Sequence, residues 1–194
     1  MEYMYRLRRM LVWIRRWRYS RGFGIQSPSS YRFVRYVVNE HAPYYAYSVL
    51  RRMHNVSKKQ QKLLRLYLRI ANHCQANLWV DSGGLLPASY TDYIKAGCQK
   101  TQVRLLDEMA EPFRLQVGRL LLSGDFRDSY ERFVACSDSR SLLIIEGIHQ
   151  SRITRRFWRQ IECDIRTGVT FDLYYCGIVF FDLKRYKQNY IVNF

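Results

Sequence analysis

Asp81 ends the apolar run Leu78-Trp79-Val80 and is followed by Ser82-Gly83-Gly84; 26 positions later Asp107 ends a second run, Val103 to Leu106. Strand, acid, glycine turn, helix, strand, acid is the order in which a doubly wound α/β domain builds an adenosine site. Glycine lets the backbone approach a ligand closely, and an acid at the end of the second strand accepts both ribose hydroxyls. The motif is shorter in glycine than a full fingerprint, and Pro87 stands where a later glycine is expected. An ordinary strand-to-loop turn without a ligand is the competing reading of the same residues.

A third acidic turn lies further on. Residues 141–149, Ser-Leu-Leu-Ile-Ile-Glu-Gly-Ile-His, read as a buried strand ending at Glu146-Gly147, with His149 just beyond, and residues 168–181 read as two strands around a tight link. Three further segments have a specific order: Gly22-Phe23-Gly24-Ile25-Gln26-Ser27-Pro28, Tyr44-Tyr45-Ala46-Tyr47 and Gly177-Ile178-Val179-Phe180-Phe181. From about residue 20 to its end the chain resembles the class I S-adenosylmethionine-dependent methyltransferases, in particular a compact, O-methyltransferase-like bacterial subgroup with a helical amino-terminal arm.

That resemblance implies S-adenosylmethionine as cofactor. Asp81 would orient it through the turn, Gly83 and Gly84 would line its amino-acid end, and Asp107 would take the ribose. Glu146 or His149 would be the base near the carboxyl ends of the strands. Plain structural roles compete: a helix cap for Glu146 and a hydrogen-bonded structural residue for His149. The resembling group has two acidic turns in its second half, whereas this chain has only Glu146-Gly147-Ile148-His149. A strand and helix are therefore expected to be missing between Gly124 and Ser141.

Charge is the other strong signal. Residues 1–80 hold 16 Lys and Arg against Glu2 and Glu40, a balance of +14, while residues 81–194 come to +2. Arg supplies 25 of the 32 basic residues, and its planar fork suits phosphate. Nucleic acid contacted through Arg8, Arg9, Arg15 and Arg16 is the expected partner, in a non-enzymatic alternative to methyl transfer; a solvated basic face is the bland one. Contact of the helix Tyr3–Tyr19 with a membrane surface is a third option.

The elements that must position these residues follow from periodicity. Leu7, Met10, Leu11, Ile14 and Trp17 recur at helical spacing opposite Arg8, Arg9, Arg15 and Arg16, and this helix is expected to dock its apolar face on the domain. Ser27-Pro28 opens a helix to about Asn39, a short aromatic helix runs from Tyr44 to His54, and Ser57 with Gln60 forms a capping box for a helix ending near Cys74. Strands are expected at 78–81, 103–106, 119–123, 141–146, 168–174 and 177–181, with helices at 89–96, 128–136 and 153–164 between them. The fold class is α/β: a mainly parallel Rossmann-like methyltransferase sheet closed by an antiparallel strand pair at one edge. Residues 1–75 would form the basic helical arm and 76–194 the α/β domain.

Five scattered cysteines without a C-x-x-C pair argue against a disulfide framework and a zinc site, and are expected to be small core residues. No apolar run is long enough for a membrane span and none resembles a cleavable signal, so a cytoplasmic location is expected.

Overall fold

Alternating apolar residues build one sheet with a core on each face. The computed structural model describes residues 2–84, 86–110 and 112–194, with the side chains of residues 2–6, 8, 9, 20 and 21 outside the described set. The chain opens with the arm helix α1 (Glu2–Arg16), followed by α2 (Pro28–Phe33), α3 (Tyr45–Met53) and α4 (Lys58–Cys74), which pack into the core. The domain follows as β1 (Leu78–Asp81), α5 (Ala88–Gly97), β2 (Gln102–Leu105), β3 (Val117–Leu121), α6 (Phe126–Ala135), β4 (Leu142–Glu146), α7 (Arg152–Cys163), β5 (Thr170–Asp172), β6 (Cys176–Phe180) and β7 (Asn189–Ile191).

The seven strands lie in the order β2-β1-β3-β4-β6-β5-β7. Neighbours from β2 to β4 are parallel, β6 runs antiparallel to both β4 and β5, and β7 is parallel to β5. This is a mainly parallel, Rossmann-like α/β sheet. The antiparallel strand is enclosed rather than at an edge, because the tail adds β7 outside β5. Between Gly124 and Ser141, where a strand and helix were expected to be missing, α6 joins the adjacent parallel strands β3 and β4 directly. Among the described residues the connection from β2 to β3 carries a short 3-10 turn, Leu106–Glu108, and β2 is an edge strand.

Helix boundaries follow local chemistry. Ser57 accepts from the Gln60 backbone while Gln60 reaches back to Ser57, which starts α4, and Gln75 in the left-handed region (φ 48°) ends it. The helix opened by Ser27 and Pro28 loosens into a π turn over Val34–Val38 before Asn39. Leu64, Leu66, Tyr67 and Ile70 of α4 join Trp79, Val117, Ile144 and Phe171 in the core on one face of the sheet. Phe133 of α6 and Phe157, Trp158 and Ile161 of α7 meet Val80, Leu120, Leu143 and Ile145 on the other. Gly97 ends α5 where a Cβ would lie 2.1 Å from the Leu68 carbonyl, so close approach to α4 is what requires glycine there.

Two expectations fail. The cysteines are free, but only Cys98 and Cys176 are buried and Cys163 is exposed. The apolar stripe of α1 is not docked: Met10, Leu11, Trp13 and Ile14 are each more than half exposed.

Gly177 of β6 makes the sheet face flat enough for α7. A Cβ there would lie 2.3 Å from the ring of Trp158, which is itself buried. Gly177→Ala is therefore expected to lower stability by about 1–3 kcal/mol through overpacking. Chemical denaturation measures it, and an unchanged midpoint would show that the indole has room to move.

Candidate functional site

Because the chain runs from β1 out to β2 and returns across β1 to β3, strand order reverses at β1. In an open α/β sheet this reversal opens a crevice at the carboxyl ends of the strands, where ligands sit. Asp81 ends β1 at that point and is fully buried. Its Oδ1 accepts the Gly83 N–H at 2.7 Å, which folds the turn back on the strand.

The rest of the Asp81 carboxylate is taken from within. Arg119, the register partner of Asp81 on β3, donates from Nη1 to Oδ1 and Oδ2 at 2.8 and 2.7 Å. Its Nε donates to Glu146 Oε1 at 2.5 Å, and the Tyr67 hydroxyl donates to the same Glu146 oxygen. The guanidinium lies over the Tyr90 ring, 4.3 Å from its centroid. Burial raises the Asp81 carboxyl above its ordinary value, and Arg119 and the Gly83 N–H offset this only in part. Burial also works against the Arg119 charge, but Glu146, Tyr67 and Asp81 outweigh it and hold the guanidinium firmly protonated. Burial and the neighbouring Glu146 raise Tyr67 well above the usual phenol range, so it remains a donor.

Gly84 is exposed, and a side chain there would begin in open space, with nothing within 4 Å. Its φ lies outside the left-handed region, so no backbone strain and no described contact within the chain requires glycine at this position. Gly83 is half-buried. Asp107 lies in the 3-10 turn two residues beyond Leu105, the register partner of Asp81. Its side chain is 87% exposed, with Arg132 Nη1 3.5 Å away. Pro87 is extended (φ −60°, ψ 140°) and immediately precedes α5.

Glu146 does not cap the following helix. Ser151 does, accepting the Thr154 N–H. His149 sits in the turn between Gly147 and Ser151 and belongs to a second network. Its Nε2 lies 2.7 Å from Asp172 Oδ2, while Asp172 Oδ1 accepts from Arg16 Nη1 at 2.9 Å and from the Tyr174 N–H at 2.8 Å. The His149 ring stacks on Tyr174 at 5.1 Å, and Arg16 lies 5.2 Å from the centroid of the same ring. Tyr174 has φ 71°, a left-handed conformation uncommon outside glycine, and its contacts hold it there. Burial pushes the Asp172 carboxyl up, but the bonds from His149 and Arg16 more than reverse that and leave it below the ordinary range.

The structure therefore brings Asp81 and Glu146 together but joins both to Arg119. It leaves Gly84 and Asp107 accessible, and it moves His149 into a pair with Asp172. Arg16 is turned inward onto Asp172 rather than outward to a polyanion. Arg15 is exposed, and the side chains of Arg8 and Arg9 lie outside the described residues. Arg119, Tyr67 and Asp172 were not singled out from the sequence. A lone Arg inside Val-Gly-Arg-Leu-Leu and a lone Asp inside Val-Thr-Phe-Asp-Leu were the signal, since charges within buried strands need opposite partners. Among the described residues no group of three or more His, Cys, Asp and Glu is placed to hold a metal ion. Compared with known proteins, the chain matches no family model, no curated protein and no solved structure.

Arg119→Met would leave Asp81 and Glu146 buried beside each other without their cation. We expect a loss of about 3–5 kcal/mol, since removing one partner of a buried ion pair strands the other. A thermal midpoint close to wild type would show that the network is dispensable.

The depressed Asp172 value fixes a sign for acid. The carboxylate contributes stability above its unfolded value of about 3.9, and that contribution disappears as pH falls through the lower folded value. Wild type should exceed Asp172→Asn in stability at neutral pH by a margin that closes as pH falls below about 4. A margin independent of pH would remove Asp172 as its source.

Proposed function

We propose that the protein is a methyltransferase-like domain that binds S-adenosylmethionine at the β1/β3 switch point. The observation that carries this reading is the coincidence of the strand-order reversal with the Asp81–Gly84 turn and the exposed carboxylate of Asp107. The residues fit the ligand unevenly. Gly84 leaves open space over the turn, and Asp107 has free acceptor capacity for ribose hydroxyls. Asp81 does not reach a ligand with its own oxygens, and its role is to hold the turn through the Gly83 N–H.

Bound there, S-adenosylmethionine supplies an electrophilic methyl group whose C–S electron pair leaves with the sulfur. What the chain supplies is alignment and a proton acceptor. With Glu146 held by Arg119 and Tyr67, His149 is the base. In the tautomer with hydrogen on Nε2, it donates to Asp172 and keeps the Nδ1 lone pair to take a proton from a hydroxyl or amine acceptor. Its side chain is 22% exposed, which leaves the ring reachable. The alternative of a non-enzymatic nucleic-acid module rests on net charge, and the inward turn of Arg16 removes one of the four guanidinium groups named for it.

Calorimetric titration with S-adenosylhomocysteine tests the reading. Wild type should bind, and Asp107→Ala should bind about tenfold or more weakly, because a carboxylate on two ribose hydroxyls is worth about 1.5–3 kcal/mol. Equal affinity in the two proteins removes Asp107 from the site. A folded wild type that binds neither S-adenosylhomocysteine nor S-adenosylmethionine overturns the proposal.

A further inference from the structure

Helix α1, with Trp17 just beyond it, carries an apolar surface that the fold leaves uncovered. Leu7, Met10, Leu11, Trp13, Ile14 and Trp17 are 39–59% exposed, although their helical spacing is that of a face meant to be buried. The side of the helix nearest the body is a different one: among its described side chains Val12 and Arg16, one turn apart, are the half-buried ones, and Arg16 is fastened to Asp172. The stripe therefore points away from the domain. Contiguous exposed patches of this kind mark interaction surfaces.

Charge selects the occupant. From Tyr3 to Asn39 the chain holds nine arginines and no acid, and the whole chain carries +16. A second copy of the helix would set Arg against Arg with only Glu2, at its first residue, to offset them. An RNA strand would satisfy the guanidinium groups but offers nothing to the aliphatic side chains of Met10, Leu11 and Ile14. An anionic bilayer surface meets both demands at once, with acyl chains under the stripe and lipid phosphates beside the arginines. We propose that α1 is an interfacial anchor that lies in the headgroup layer of an anionic membrane, apolar stripe inward. No helix among the described residues is long and apolar enough to cross a membrane, and this role does not require one. The inference stands independently of any ligand at the switch point.

The natural tryptophans report the event. Trp79 and Trp158 are buried, whereas Trp13 and Trp17 are more than half exposed, so a change in emission on adding lipid comes from the arm. The full chain is mixed with vesicles of phosphatidylcholine alone or with about one-third phosphatidylserine, and binding is read by sedimentation and fluorescence. We expect binding and a blue shift with the anionic vesicles and neither with the neutral ones. The variant Met10→Gln, Trp13→Gln, Ile14→Gln keeps every charge and the helix propensity. It should bind at least about tenfold more weakly, with Trp17 emission no longer shifting and the thermal midpoint unchanged. Arg15→Gln should weaken binding about fivefold.

Failure of wild type to bind anionic vesicles overturns the proposal, as does a triple variant that binds them equally well, which would leave charge alone responsible. A large drop in the midpoint of the variant would mean that the stripe is docked internally. A wild-type dimer that the variant turns into a monomer would assign the stripe to a second copy. Equal loss of binding to a duplex RNA would assign it to nucleic acid.

Discussion

A guanidinium shared by two buried carboxylates is the constraint from which the centre of this fold follows. An ionised Asp81 with no exposure is costly by several kcal/mol unless its lone pairs are met. Arg119 meets them because β3 lies beside β1 in the one register that sets the two residues opposite each other, and Glu146 from β4 completes the arrangement. A slip of one residue in β3 would turn Arg119 to the other face of the sheet, into Phe133, Leu143 and Ile145. Tyr67 of α4 and Tyr90 of α5 carry the same demand outward, since each places its ring or hydroxyl on this cluster. Three strands and two helices are thus held to one alignment by a single side chain.

The second polar network does for the arm what the first does for the sheet. Asp172 ends β5 and gathers His149 from the turn after β4, the Tyr174 N–H from its own turn and Arg16 from the last residue of α1. The left-handed Tyr174 is the structural cost of this convergence, because its backbone N–H and its ring are both needed there. As a result the arm joins the body by a polar, partly buried contact at one end, and its apolar stripe remains outside. Charge in place of apolar docking explains how an amphipathic helix is positioned without being buried.

Most of the framework was legible because it rests on local rules. The capping residues of α2 and α4, the apolar runs of β1 and β4 and the aromatic strands β5 and β6 follow from periodicity and turn chemistry, and they fell within a few residues of expectation. What was not legible depends on partners distant in sequence. Asp81 and Glu146 looked like ligand-facing acids because nothing near them in sequence neutralises them; Arg119 lies 38 and 27 positions away and becomes adjacent only through strand order. Arg16 looked like one of four outward arginines, and only the fold places Asp172, 156 positions later, within its reach. The stripe of α1 looked like a docking face, since periodicity reports amphipathicity without saying what covers the apolar side.

These two networks also sort the molecule by charge. The Asp81–Arg119–Glu146 cluster sets two carboxylates on one guanidinium beneath the switch point, and the exposed Asp107 beyond β2 is paired with Arg132. The carboxyl end of the sheet is thus lined by paired charges in a chain of +16, while the arm is almost purely basic. Arg16 is the arm residue seen to cross that division, and it does so by pairing.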